Sequence, residues 1–264
     1  MGDTRWGVGL TGGFIGVIGL IGVLGLLPLA ASAAEWVGRF DATASPGPAA
    51  VPAPWTLVKL NDKLKPTAYQ VVSWDGVGAI EAKADHSMAL LARPLSVNLA
   101  STPVLCWRWR VDAPLKQADM RTKQGDDYAA RLYVTFRAAP GSLSLGTRTK
   151  LAVARSLFGN QVPDAAINYV WDNRHPIDTR MPNAYTDRAQ MWVLRTGASQ
   201  AGRWVTERRH IGADLRAVFG DLPLAPVQLA VASDTDNTGE TARAGFADLH
   251  FVGAEEPCEF KPPH

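Results

Sequence analysis

Cysteine is scarce, with only Cys106 and Cys258 in 264 residues, and neither their number nor their spacing suits a structural zinc site. The histidines, His86, His175, His210, His250 and His264, form no H-E-x-x-H arrangement and no paired metal spacing. No G-x-S-x-G elbow and no phosphate-cradling glycine loop occurs, so neither a nucleophile motif nor a nucleotide site is present. A basic stripe is missing too. The formal net charge is +2, which argues against a nucleic-acid partner and equally against a disordered acidic tail. Helix signals are few, and no internal repeat is evident. These absences withhold a reaction without excluding one, because β-sandwich enzymes gather their catalytic residues from distant strands.

Charge is also absent from residues 8–29. Arg5 precedes this stretch and Leu29-Ala30-Ala31-Ser32-Ala33-Ala34-Glu35 follows it, the layout of a secretory signal cleaved after Ala33. Residues 1–33 therefore read as a signal peptide, and the mature protein as periplasmic or secreted. Contact with a membrane would require that this segment stay uncleaved as an anchor. Gly13, Gly16, Gly19, Gly22 and Gly25 recur every third residue, which lowers helix propensity and favours the cleaved form. In an exported chain two cysteines permit one disulfide. The alternative is a small strand residue at Cys106 and a free tail thiol at Cys258, and the sequence leaves both open.

What is present is a series of short apolar runs bounded by Gly, Pro, Asp and Asn. They fall at 55–60, 69–73, 78–82, 87–91, 104–111, 131–136, 167–171, 190–195, 204–209, 227–232 and 245–252. Such spacing predicts an all-β fold, an antiparallel β-sandwich of jelly-roll type, with one or two short helices at 214–220 and 150–158. Residues 34–54, rich in proline and small side chains, read as a flexible linker. Residues 55–255 read as one domain and 256–264 as a tail, and the protein as a monomer.

Alternation is cleanest in Leu105-Cys106-Trp107-Arg108-Trp109-Arg110-Val111. Extended, it places Leu105, Trp107, Trp109 and Val111 on one face and Arg108 and Arg110 on the other. Ala130, Leu132, Val134 and Phe136 alternate in the same way with Arg131, Tyr133 and Thr135. If the two strands are neighbours, Arg108, Arg110, Arg131 and Tyr133 form a basic, aromatic floor with Asp126 and Asp127 at its edge.

The motifs Pro103-Val104-Leu105-Cys106-Trp107-Arg108-Trp109-Arg110-Val111, Gly125-Asp126-Asp127-Tyr128-Ala129-Ala130-Arg131, Asn168-Tyr169-Val170-Trp171 and Ser233-Asp234-Thr235-Asp236-Asn237-Thr238-Gly239 together resemble a bacterial exported family, domain of unknown function 3047. The resemblance runs over most of the mature chain. It implies a periplasmic or secreted single domain and carries no catalytic residues. The segment Ala244-Gly245-Phe246-Ala247-Asp248-Leu249-His250-Phe251 also resembles the last strand of jelly-roll carbohydrate-binding domains.

The loop Asp234-Thr235-Asp236-Asn237-Thr238-Gly239-Glu240 crowds three carboxylates together. Asp234, Asp236 and Thr238 match the front half of a calcium loop and are candidate ligands for a structural Ca2+. Gly245 stands where the bidentate Glu would complete it, so the competing expectation is an Asx-type turn with arginine pairing. The candidate ligand-binding set is Arg108, Arg110, Asp126, Asp127, Arg131, Tyr133 and Trp171, with a saccharide as the leading ligand and no resident cofactor. One alternative is a polysaccharide hydrolase or lyase using a carboxylate of Asp126, Asp127, Asp234 or Asp236. Another is a structural protein-interaction domain.

Overall fold

Strands with one apolar face are stable only when that face is covered, and here two sheets cover one another. The computed structural model describes residues 7, 9, 34–40, 50–159 and 162–260. In chain order the strands begin with β1 (Glu35–Gly38), β2 (Thr56–Val58), β3 (Ala68–Trp74), β4 (Val77–Asp85), β5 (Leu90–Pro94), β6 (Val104–Val111) and β7 (Tyr128–Ala138). Helix α1 (Leu145–Phe158) follows, then β8 (Ala165–Asp172), β9 (Arg180–Asn183), β10 (Thr186–Thr196) and β11 (Val205–His210). Helix α2 (Ile211–Phe219), β12 (Leu224–Asp234) and β13 (Thr241–Val252) complete the domain.

One sheet, called the front sheet, has the order β11-β6-β13-β4-β3, with β1 added on β13. The back sheet has the order β2-β5-β12-β7-β8-β10-β9. The result is a β-sandwich with two short helices. All pairings given for the described strands are antiparallel except β8 with β10. The exception arises because the chain leaves β8, forms the edge strand β9, and hairpins back into the gap as β10.

The core follows the alternation. Trp107 and Trp109 of the front sheet point inward and meet Tyr169 and Trp171 of the back sheet at ring separations of 5.6 and 5.8 Å. Each such ring removes on the order of 200 Å² from water, about 5 kcal/mol before ordering costs. Trp109 keeps its one polar atom satisfied by donating Nε1–H to Glu207 at 2.9 Å.

Both helices begin earlier than their apolar periodicity suggests, because caps set the start. Ser144 accepts from the Thr147 amide at 3.2 Å and opens α1. The His210 ring accepts from the Ala213 amide at 3.1 Å and opens α2. Among the described residues no helix is long and apolar enough to cross a membrane.

One expectation needs correction. Residues 35–38, within the proposed linker, form β1, registering Glu35 opposite Phe251 and Trp36 opposite His250. The Trp36 ring stacks on His250 at 4.5 Å, so burial outweighs the local composition. Of the two states open to the cysteines, the disulfide is the one present: Cys258 is bonded to Cys106, 152 positions earlier in the chain, with Cα atoms 5.8 Å apart. Closing so long a loop contributes about 5 kcal/mol through the unfolded state. The disulfide fits an oxidising, extracytoplasmic compartment. The signal segment and its cleavage site lie outside the described residues.

Candidate functional site

The expected arginine floor does not form. β6 belongs to the front sheet and β7 to the back sheet, so Arg108 and Arg110 lie on the opposite side of the molecule from Arg131 and Tyr133. The connection 112–127 carries the chain from one sheet to the other. Alternation correctly assigns the faces within each strand, but it says nothing about which strand lies alongside.

On the front face every expected ligand group is engaged by the protein. Arg108 contacts Asp248 in a buried ion pair, beneath the Phe260 ring of the tail. Asp248 sits at φ 51° where the β6–β13 register shifts, a bulge that breaks the regular pairing beside Arg108. Arg110 pairs with Asp75, donates to the Gly202 carbonyl at 2.8 Å, and lies 4.1 Å from the Trp74 ring centre. Trp204 closes over this group because residue 245 is glycine; a Cβ there would stand 2.7 Å from its ring. Glu81, 1% exposed, is a third acid of this face. Burial works to raise its carboxyl, and the bonds from Lys83, Gln70 and Arg243 outweigh that and hold it below the ordinary value.

Trp171 is also not a ligand group. Its side chain faces the core, 1% exposed, with Nε1–H donated to Gly197 at 3.0 Å.

The back face assembles the remaining candidates. Arg131 forks onto Asp234 across the β7–β12 pair, with Nε donating at 2.8 Å and Nη2 completing the second arm. Its Nη1 donates to the Tyr133 hydroxyl at 3.1 Å and stands 3.5 Å from Asp126 Oδ1. Asp126 in turn accepts from Asn183 at 2.8 Å. Burial acts to lower the Arg131 pKa, but the Asp126 and Asp234 charges outweigh it and hold the guanidinium above its usual value. Burial raises the Asp234 carboxyl; the Arg131 charge opposes this, and repulsion from Asp127, Asp126 and Asp236 adds to the rise.

Asp127 organises the acidic loop. It accepts from the amides of Asn237 and Thr238 at 3.0 and 2.6 Å, from the Thr238 hydroxyl at 2.9 Å, and from the Asn237 side chain at 3.1 Å. Gly239 turns the loop at φ 68°. Glu240 leaves the cluster and accepts from the amides of Lys116 and Gln117, each at 2.9 Å.

Asp127, Asp234 and Asp236 offer carboxylate oxygens within 4.8 Å of one another. This set does not fit a structural calcium ion, which takes six to eight oxygens. Arg131 occupies both Asp234 oxygens, loop donors occupy Asp127, and the Thr238 hydroxyl is spent on Asp127. Only Asp236 Oδ1 among these oxygens is buried without a bond. Burial first, then the neighbouring Asp127 charge, raises the Asp236 carboxyl above its usual value. The Arg131 guanidinium and the loop donors thus offset much of this negative charge.

Beside the cluster lies a cleft of about 600 Å³ on the outer surface of the back sheet. Tyr133, Thr135, Ala166 and Gln228 form its floor, α1 walls it through Thr147, Lys150, Leu151 and Ala154, and the β9–β10 turn supplies Tyr185, Thr186, Asp187 and Arg188. Tyr133 and Tyr185 join cleft to cluster: Tyr185 donates toward Asn237 at 3.4 Å or the Lys123 carbonyl at 3.3 Å. Among the described residues, the side chains of Thr135, Gln228, Lys150 and Asp187 have no hydrogen-bond partner, and the Tyr133 hydroxyl accepts from Arg131 without donating onward. Burial raises the Tyr133 pKa, so that hydroxyl keeps its proton and can still donate one hydrogen bond. Asp187 is the one carboxylate among the lining residues.

The sequence profile described as "Protein of unknown function (DUF3047)" matches residues 53–250. The chain belongs to this family. No curated protein matches it in sequence. Among solved structures this DUF3047 chain is similar to the xyloglucanase domain of NopAA, a type three effector from Sinorhizobium fredii in complex with cellobiose, at 11% identity over 83% of this chain and 92% of that one, TM-score 0.32. It is also similar to Trichoderma harzianum endoglucanase 3 of family GH12, at 7% identity over 83% and 99% of the two chains, TM-score 0.40.

Sequence reasoning found Asp126, Asp127, Arg131, Tyr133, Asp234, Asp236 and Thr238 of this DUF3047 neighbourhood, and missed the cleft walls. Lys150 comes from α1, Tyr185 from the β9–β10 turn, Asp187 from β10 and Gln228 from β12. The exposed Tyr185 beside Ala184 in a polar run was the one local signal available.

Proposed function

We propose that the protein is an exported, envelope-associated binding module that holds a saccharide in the back-sheet cleft. The observation that carries this is a set of polar groups with spare hydrogen-bonding capacity, the Tyr133 and Thr135 hydroxyls, the Gln228 amide, Lys150 and Asp187, in a cleft that is also lined by Leu90, Leu151, Ala154 and the Tyr185 ring. Sugars present hydroxyl edges and apolar ring faces, and a site with both donors and acceptors beside tyrosine rings matches both aspects. The disulfide and the signal-like first residues support a periplasmic or secreted location. Hydrolysis is not part of the proposal. A glycosidase needs two carboxyl groups facing its substrate, whereas Asp126, Asp127 and Asp234 are 6%, 0% and 1% exposed and committed to internal bonds.

The test is a glycan array probed with the mature domain, followed by titration of any retained sugar against Tyr133→Phe, Asp187→Ala and Arg110→Ala. The first two variants should each weaken binding about fivefold to tenfold, the value of one hydrogen bond, while Arg110→Ala leaves it unchanged in the folded fraction. Chelator should have no effect. Retention of no saccharide, or loss confined to Arg110→Ala, refutes the assignment.

A further inference from the structure

The cleft is not uniform along its length. Its β9–β10 end is polar, with Tyr185, Thr186, Asp187 and Arg188, whereas β2, the segment after it and β5 at the far end contribute only Val58, Leu60 and Leu90, and α1 adds the aliphatic Leu151 and Ala154 to the lining. Strand order places β2 five positions from β10, so this gradient runs across roughly 24 Å at the usual strand spacing. A free sugar would cover only one end.

The exposed large apolar side chains point the same way. Leu57 and Leu60 are 47% and 48% exposed beside β2, and Leu145 and Val153 are 76% and 55% exposed on α1. With Tyr185 they make up all but one of the large exposed hydrophobic residues among those described, Ile177 being the exception. Of these, Leu60 and Tyr185 line the cleft itself, one at each end, and together with the aliphatic lining they mark an apolar ligand. α1 itself contains no acidic residue and presents Arg148 and Lys150, so nothing on this wall repels an amphiphile.

We propose that the ligand is an acylated saccharide, with its sugar at the β9–β10 turn and its hydrocarbon chain lying across the sheet toward β2. This rests on the saccharide reading of the same cleft and extends it to the ligand class. The chain fills the space between Leu90, Leu151 and Ala154, and Leu60 lies at the exit.

Calorimetric titration with hexyl, octyl and decyl β-glucoside, below their micelle-forming concentrations, tests this alongside glucose and 1-octanol. Affinity should rise by up to about fourfold for each added methylene, and octyl glucoside should bind more tightly than octanol. Ala154→Trp, which fills the aliphatic end, should flatten the chain-length dependence while preserving hexyl glucoside binding. Leu60→Ser changes an exposed residue and should reduce the gain from octyl to decyl, which keeps the test valid should the tryptophan variant fold poorly. Glucoside binding that ignores chain length overturns the acyl inference alone. Octanol binding as tightly as octyl glucoside overturns the saccharide reading, and the inference with it; so does failure of every probe to bind.

Discussion

The two outer faces of the sandwich use the same residue types to different ends. On the front face, the arginines that alternate with tryptophans are closed off by the rest of the chain: Arg108 by Asp248 and the disulfide-bound tail, Arg110 by Asp75, Trp74 and Trp204. On the back face, Arg131 is as deeply buried, yet the strands beside it continue into an open cleft where the side chains of Thr135, Lys150, Asp187 and Gln228 have no partner among the described residues. Polar alternation on a strand therefore does not by itself mark a binding surface. What separates structure from site is whether another part of the chain has already claimed the outward groups.

The sharpest way to break this comparison is to remove Arg131. Arg131→Met leaves Asp234 and Asp126 buried without their cation, and should cost about 3–5 kcal/mol, read as a lowered urea midpoint with an unchanged slope. A loss below 1 kcal/mol would mean that the acids are balanced by some other group. Next is the front-face staple. Cys258→Ala should cost about 2–5 kcal/mol by thermal unfolding yet leave ligand affinity in the folded protein unaltered, because the tail and the cleft lie on opposite faces. An affinity loss larger than the folded fraction explains would tie the two faces together.

The smallest effect concerns Asp236. Its carboxyl titrates above its unfolded value, so the folded chain holds that proton more tightly than the unfolded chain does. The favourable contribution is full below the ordinary carboxylate range and is lost as pH rises through the folded value. Asp236→Asn should therefore raise the unfolding temperature at pH 7 by about 1–2 °C, a few tenths of a kcal/mol after solvent screening, with no gain near pH 3. Equal shifts at both pH values would assign the effect to packing. Asp119 has the opposite sign: its bonds from Arg121 hold it low, so its contribution is present above the ordinary range and fades as acid protonates it.

Much of the fold was legible because local rules governed it. Leu105, Trp107, Trp109 and Val111 had to share a face in any extended strand, and they do. The acidic loop was visible as too many carboxylates for free solution, and Arg pairing with Asx-type turning was one of its two weighed outcomes. β1 was not legible: Glu35-Trp36-Val37-Gly38 lies beside a proline-rich stretch, and its partner in β13 is more than two hundred residues away. The parallel β8–β10 pair was hidden for the same reason, since the intervening edge strand is short and polar.

By itself the sequence determined the period-two faces, the positions of most of the short strands, the crowding of carboxylates in the acidic loop and the availability of two cysteines for oxidation. The tertiary structure alone decided that β6 and β7 lie in different sheets, that Asp127 accepts the donors of the acidic loop, and that α1, β2 and the β9–β10 hairpin line one cleft. Side-chain direction along a strand is dictated by bond geometry within a few residues. Strand neighbours are selected by the burial of a whole core, to which residues far apart in the chain contribute jointly.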